Sequence, residues 1–423
     1  MIGVDVVVIG AGPAGLAASL SAHRNGAKSV WLIERNPELG GILPQCIHDG
    51  FGNFVFREML TGPEYAQRYI DEVKKTEITV KLNTMVLEIN LDKRIIGVNP
   101  VNGVLEIRAK AIILAMGCRE RTRPQILIPG DRPAGICTAG VAQRYINMEG
   151  VMPGKKVVVL GSGDIGLIMA RRFTLEGAEV EGVYEIMPNP GGLTRNVVQC
   201  LEDYDIPLHL SHTIVDIKGK KRVEGVTVVK VDSQLKPIPG TERFVPCDTV
   251  LLSVGLIPEN ELSKMTGMEI DPITGGPIVD EEMETSVPGI FACGNVVHVY
   301  DLVDDVSKVG EVAGKGAAKH ISGRAEERKI PVAIKSGRNV RFVVPQIIRK
   351  EDFDERITLY FRVKEVEENV KLALLADGKK IYERKQKIVK PPEMIRLSFL
   401  SKFLKKFVEN ELRIEVQKDE KST

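Results

Sequence analysis

A pattern of thirty-one residues occurs twice in this chain, and nothing else in the sequence limits the possible folds as strongly. The first copy is "VDVVVIGAGPAGLAASLSAHRNGAKSVWLIE", residues 4–34, and the second is "KKVVVLGSGDIGLIMARRFTLEGAEVEGVYE", residues 155–185. Each opens with a short β-branched run that reads as a buried strand. A GxGxxG turn follows: Gly10, Gly12 and Gly15 in the first copy, Gly161, Gly163 and Gly166 in the second. Pro13 sits in the first turn of the helix that follows, where its missing N–H does no harm. A Gly-Ala pair ends each helix at offset 16, and Glu34 or Glu185 ends each second strand at offset 24. A lone GxGxxG is a weak signal, but two copies with matched spacing are strong.

The chemistry of such a unit is specific. The first glycine permits the tight turn, the second lets backbone approach a pyrophosphate, and the third lets helix and strand pack closely. The helix N-terminus offers free N–H groups to phosphate, and the terminal acid accepts from an adenosine ribose. A strand–helix–strand unit that binds nothing, with glycines kept for packing, is the plainer alternative.

Further apolar strands complete two sheets. "AKAIILAMG" (109–117) closes the first and "CDTVLLSVGLIP" (247–258) the second, while "ETSVPGIFACGN" (284–295) reads as turn, strand and polar loop. A helix is expected from about Asp305 to Ile321. Residues 331–423 switch to period-two alternation with "DG" as a hairpin turn, which predicts a small β-sandwich. Within it, "MIRLSFLSKFLKKFV" (394–408) fits a basic amphipathic helix through Leu397, Leu400, Leu404 and Phe407, although its first half also fits a strand. Core packing with a solvated basic face is favoured there over a membrane-surface or partner helix. "EERK" and the final "KDEKST" read as solvated surface and a frayed end. The expected fold class is α/β: two nested Rossmann-like dinucleotide domains plus a small C-terminal β-rich domain. The expected domains are residues 1–120 and 258–330 for the first, 121–257 for the second and 331–423 for the last.

Bulk properties narrow the function. The 423 residues carry 58 Lys+Arg against 57 Asp+Glu, a net charge of +1, which gives no electrostatic reason to expect nucleic acid or an anionic membrane. The six cysteines are scattered, with no CxxC and no zinc spacing, as in a reduced, cytoplasmic protein. The apolar N-terminus lacks a basic start and is broken by "GAGPAG", so it reads as strand and turn rather than a signal peptide. No run approaches the roughly twenty apolar residues of a membrane span.

With "GAGPAG" and Glu34, "GSGDIG" and Glu185, "AMG" and "SVPGIFACGN" in place, residues 1–325 resemble the two-dinucleotide-binding-domain flavoproteins, the group that includes thioredoxin and glutathione reductases. The resemblance implies FAD in the first unit and NAD(H) in the second. By position it assigns FAD contacts to Gly10, Gly12, Pro13, Ala14, Gly15, Glu34, Arg35, Gly41, the Val86 backbone, Ala115, Gly117, Gly294 and Asn295. It assigns the nicotinamide cofactor to Gly161, Gly163, Asp164, Ile165, Glu185 and Gly255. Asn295 stands where the family usually has Asp. The family's redox cysteine pairs are absent, and only Cys46 falls in the first of their two places. The stretch "GGILPQCIHDGFG" with "HVYDLVDDV" and a β-rich tail is similar to a narrower branch, the flavoproteins associated with bacterial glycerol-3-phosphate dehydrogenase. That likeness implies an electron carrier that works with a partner flavoprotein dehydrogenase, and the position of residues 331–423 implies an oligomer.

The flavin and nicotinamide would carry the hydride chemistry, and the helix near Asp305 would aim its N-terminus at the flavin. Glu185 favours NAD over NADP, because a carboxylate repels a 2′-phosphate and the first following arginine is as distant as Arg195. Cys46 and His48 are the candidate catalytic pair beside the flavin, set against a packed thiol in a Gly-rich loop. His298, Asp301 and Asp305 either meet flavin or substrate, or serve as helix cap and solvated acids. Cys118, Cys137 and Cys293 read as simple buried thiols, and no metal site is expected. Two competing functions remain: an NADH oxidase or peroxidase using Cys46, and a non-catalytic FAD-binding assembly subunit.

Overall fold

Val6, Val7, Val8 and Ile9 leave no side chain to solvent on the first strand, Ile2–Ile9, because parallel partners flank it on both edges. The computed structural model describes residues 2–323, 331–349, 356–407 and 409–419. The "EERK" stretch and the last four residues therefore lie outside the described residues. Two compact units result, one of residues 1–118 with 258–423 and one of residues 119–257.

In the first unit the strand order is Thr79–Lys81, Val30–Ile33, Ile2–Ile9, Gly103–Leu114, Arg94–Asn99, Met85–Ile89. Gly103–Leu114 is long enough to serve two purposes. Its first half pairs antiparallel with Arg94–Asn99, and its second half pairs parallel with both Ile2–Ile9 and Ile290–Ala292. The Ala-rich helix Pro13–Arg24 is buried along Ala14–Ala22. Against it runs the closing helix, Val303–Ile321. A Cβ on Gly310 would lie 2.4 Å from the Ala14 carbonyl oxygen, and one on Gly314 would lie 2.3 Å from that of Ala18. Only glycine allows the two backbones to come this close.

The second unit repeats the plan. Its parallel sheet runs Leu208–Leu210, Glu179–Glu185, Lys156–Leu160, Thr249–Leu252, Ile136–Thr138, with helix Asp164–Leu175 packed on one face. An antiparallel three-stranded sheet, His212–Lys218, Gly225–Lys230 and Arg243–Pro246, covers apolar residues of the other.

Residues 331–419 form two antiparallel-rich sheets, of five and three strands, around a shared core that includes Leu359, Phe361, Leu372, Leu374, Ile414 and Val416. Asp377 and Gly378 both adopt positive φ, the two-residue hairpin turn that "DG" favours. The 394–408 stretch is not one amphipathic helix. Strand Ile395–Leu400 buries Ile395, Leu397 and Phe399 at period two, and a separate short helix, Ser401–Phe407, buries Leu404. This region is held to the first sheet's unit by polar contacts. Gln346 donates its backbone N–H to Val279 and its side-chain amide to Asp271, both at 3.1 Å, and Arg349 pairs with buried Asp280 at 2.6 Å.

The glycine contact yields a test. Gly310→Ala should lower stability by about 1–3 kcal/mol despite alanine's better helix propensity, because the added methyl meets backbone that cannot yield. Gly3→Ala, with open space around the new methyl, should be near neutral. Thermal and denaturant unfolding of the two variants checks the contrast.

Candidate functional site: two dinucleotide cradles and the loop beside the first

In the first unit, Gly10 turns the chain from strand to helix at φ +99°, and a Cβ there would meet the Ala115 carbonyl oxygen at 2.4 Å. The helix begins with Gly12 as N-cap, Pro13 in the first turn and no side-chain cap. Its first-turn amides thus have no capping side chain to satisfy them. Glu34, buried at the end of its strand, accepts from Ala11 N at 2.8 Å and from Asn36 N at 2.9 Å. A carboxylate has about four lone-pair sites, so each oxygen keeps one for a ribose diol. Gly41 comes so near Gly12 that a Cβ would lie 2.8 Å from the Gly12 Cα. Gly294, in a 3-10 turn, packs against Ala14. These backbone-only surfaces, the uncapped helix and the acid fit an adenine dinucleotide.

The remaining residues assigned by position sit around this cradle in different ways. Arg35 is exposed and pairs with Glu259 at 3.4 Å. Val86 is buried and registers with Gly97 across a hairpin. Gly117 follows the closing strand, and its carbonyl accepts from Glu259 N at 3.0 Å. The Asn295 Oδ1 accepts from Tyr300 N at 3.1 Å, and its amide lies 3.7 Å from the Cys118 sulfur.

The second unit matches the first atom for atom at the turn. Ser162 N donates to Glu185 at 2.8 Å and Met187 N to its other oxygen at 2.9 Å, as Ala11 and Asn36 do to Glu34. Gly161 packs on the Ser253 carbonyl as Gly10 packs on Ala115, and Gly255 follows that strand as Gly117 follows the first. Helix Asp164–Leu175 is again uncapped at Gly163, with Asp164 and Ile165 as its first residues. One difference matters. Ser162 Oγ also donates to Glu185 Oε2, at 2.6 Å, so three of the four acceptor sites are used.

The repeat runs on past the terminal acid. Glu34 and Glu185 both open E-x-x-P-x-x-G-G, ending in Gly40-Gly41 and Gly191-Gly192. Both glycine pairs fold back on their turns: Gly40 N donates to Ala11 O at 2.9 Å and Gly191 N to Ser162 Oγ at 2.7 Å. Asp164 fastens the second loop, accepting from Leu193 N at 2.8 Å and from the Asn196 amide at 2.6 Å.

The Gly-rich loop follows Gly41. Cys46 ends the short 3-10 turn Leu43–Gln45; its thiol points to the Ile42 carbonyl at 3.4 Å, and its own carbonyl accepts from Gly62 N at 2.8 Å. Helix Gly62–Lys74 starts directly on it, and a Cβ on Gly62 would strike Cys46 Cβ at 2.8 Å. Burial pushes the Cys46 thiol up to about 12. The His48 ring lies 5.0 Å from that of Phe51, and its Nδ1 is 3.0 Å from the Asp49 carbonyl oxygen. What organises this loop is Asp304, a residue that the sequence alone does not single out. Its carboxylate accepts from Gly52 N and Phe54 N at 3.2 Å and from Val55 N at 2.8 Å. Two consecutive acids at the start of a helix are the one signal that could have found it.

His298, Asp301 and Asp305 are neither helix caps nor solvated acids. His298 is fully enclosed by Tyr300, Phe342 and Tyr360, and burial lowers its pKa to about 3, so it is neutral. Asp301 pairs with Arg362 and accepts from Met394 N, while Asp305 pairs with Arg396 at 2.8 Å. Neither caps the closing helix, whose N-cap is Leu302. Of the three cysteines expected to be buried, only Cys293 is, its thiol pushed up to about 12; Cys118 and Cys137, beside the strand ends, are half-buried. No helix among the described residues is long and apolar enough to cross a membrane.

A family model described as pyridine nucleotide-disulphide oxidoreductase matches residues 4–312. The chain is 26% identical to one of the subunits of opine oxidase from Agrobacterium tumefaciens (strain Ach5), over 74% of this chain and 64% of the relative. It is 29% identical to the glutamate synthase [NADPH] small chain of Escherichia coli (strain K12), over 74% and 68%. It thus spans less than two thirds of the opine oxidase relative. T. acidophilum thioredoxin reductase superposes with a TM-score of 0.61 at 23% identity, covering 77% of this chain and all of that one. With both cradles built as such a fold requires, the chain belongs to the pyridine nucleotide-disulphide oxidoreductase family, whose members bind FAD and NAD(P)H, and is an FAD-dependent oxidoreductase of that family.

Proposed function

We propose that the chain exchanges hydride between NAD(H) and a bound FAD and passes electrons to or from a partner flavoprotein, of the glycerol-3-phosphate dehydrogenase type. The observation that carries this reading is the state of Cys46. A dithiol relay needs two cysteines, and this half-buried thiol packs against the start of a helix with no second cysteine in the sequence stretch around it. With the dithiol route removed, electrons need another exit. An exit to a second protein suits relatives that are themselves named as parts of larger enzymes, the small chain of a synthase and one component of an oxidase.

When bound, the nicotinamide and flavin supply the hydride chemistry. The residues of this chain bind and orient them. Glu34 and Glu185 would hold the ribose ends and the two uncapped helices the pyrophosphates, while Asp304 fixes the end of the loop that carries Cys46 and His48. Glu185 also sets the cofactor. Its carboxylate is anchored by three donors and would accept from a ribose 2′-hydroxyl, whereas a 2′-phosphate there would meet like charge.

Three measurements check this. Anaerobic NADH should bleach the flavin absorbance of the purified protein, and reoxidation by oxygen should be slow without a partner. An unbleached spectrum would leave only the non-catalytic assembly reading, and rapid oxygen or peroxide consumption would favour the oxidase. Glu185→Ala should lower the NADH-to-NADPH ratio of kcat/KM by roughly tenfold, the weight of a hydrogen bond to a charged group; an unchanged ratio sinks the NADH assignment. Cys46→Ser should keep NADH-to-dye activity within about twofold, since a lone half-buried thiol contributes packing rather than chemistry.

A further inference from the structure

The β-rich region contains a cavity of about 280 Å³ that none of the chemistry above uses. One wall is the strand Lys379–Val389, from which Arg384, Gln386 and Ile388 project at period two. The other is the segment 393–396, with Lys390 between the two. Three cations, Arg384, Lys390 and Arg396, line it against a single carboxylate, Glu393. Arg396 is already engaged by Asp305 at 2.8 Å, and Lys390 lies 3.9 Å from Glu393.

Arg384 is different. Its Nε is buried without a hydrogen-bond partner, and its Nη1 reaches only the Arg396 carbonyl, at 3.4 Å. Among the described residues no carboxylate pairs with it. A guanidinium is charged at every working pH and presents a planar fork suited to carboxylate or phosphate. A buried donor left unmade in a folded protein calls for an explanation, and the side chain that carries it lines a cavity with a surplus of positive charge. We propose that this cavity is a binding site for a small organic oxyanion, a phosphate monoester in preference to bare phosphate. The guanidinium of Arg384 takes the anionic head, with Gln386 and Lys390 as further donors. A water occupies roughly 30 Å³ of liquid, so a free phosphate would underfill the space. The carbon body of a monoester would lie against Ile388 and Met394.

The site is tied to the flavin loop through Arg396, whose guanidinium sits 5.0 Å from the centre of the Phe54 ring while pairing with Asp305 at the start of the closing helix. The tether of the cavity's second wall is equally direct, since Asp301 accepts from Met394 N at 2.6 Å.

Calorimetric titration of the oxidised holoprotein, without NADH and at fixed ionic strength, tests the site independently of electron transfer. Ethyl phosphate, inorganic phosphate, succinate and chloride are the probes. The expected result is saturable binding of ethyl phosphate at one site per chain, weaker binding of inorganic phosphate, and no saturable response to chloride. Arg384→Gln should weaken ethyl phosphate at least tenfold and Arg384→Lys less; Lys390→Gln, a milder change, should weaken it severalfold if Arg384→Gln fails to fold. Succinate binding more tightly than ethyl phosphate would overturn the phosphate preference. Absence of saturable binding by any oxyanion, or equal binding in folded Arg384→Gln, would overturn the site.

Discussion

The approach of the closing helix to the first helix is the constraint on which the rest of the first unit depends. Gly310 and Gly314 let the two backbones lie together where any side chain would meet a carbonyl oxygen at less than 2.5 Å. That contact places Asp304, the second residue of the helix, where it can gather the amides of Gly52, Phe54 and Val55. It also brings Ser307 to the Tyr65 hydroxyl at 2.8 Å, and so positions the helix that packs on Cys46. The dinucleotide turn, the Gly-rich loop and the closing helix are therefore one mechanical unit, and its tolerance is set by missing methyl groups.

Charge at the start of the closing helix serves the same end. Asp301, Asp304 and Asp305 would be destabilised by burial if left unpaired, and burial does push the Asp305 carboxyl up while Arg396 pulls it back. Each has a specific partner: Arg362 and the Met394 amide, three loop amides, and Arg396. Such pairs add little net stability, because desolvation offsets attraction, but removing one partner leaves a buried charge and is costly, about 3–5 kcal/mol. Their contribution here is register. They fix where strands Arg356–Val363 and Ile395–Leu400 sit against the loop after Gly294.

Local signals were legible in the sequence, and contacts between distant segments were not. The duplicated turns, the acids at matched offsets and the strands ending in glycine follow from short-range backbone rules, and the structure places them together. Ser253 under Gly161 and Asp304 under the loop depend on residues far apart in the chain, which no periodicity encodes. His298 shows the cost of local reading. A histidine in the stretch "HVYDLVDD" left a polar role open, yet Phe342 and Tyr360, over forty residues away, make its surroundings aromatic. The 394–408 stretch was ambiguous for another reason: two periods overlap in it, and the structure uses both, a strand to Leu400 and a short helix from Ser401.

The duplicated acids finally show how one unit can be reused for different purposes. Glu34 and Glu185 make the same two bonds to backbone amides, and these orient the carboxylate before any ligand arrives. Replacing Ala11 by Ser162 adds a hydroxyl that uses a third acceptor site and then receives Gly191 N in turn. The first acid keeps two sites for a ribose diol and the second keeps one. A cofactor that stays in place gains from the fuller set of hydrogen bonds, whereas one that must leave in every cycle gains from fewer, since affinity differences lie mostly in the rate of release. The single substitution of a hydroxyl for a hydrogen at that turn thus leaves the two acids with different acceptor capacity.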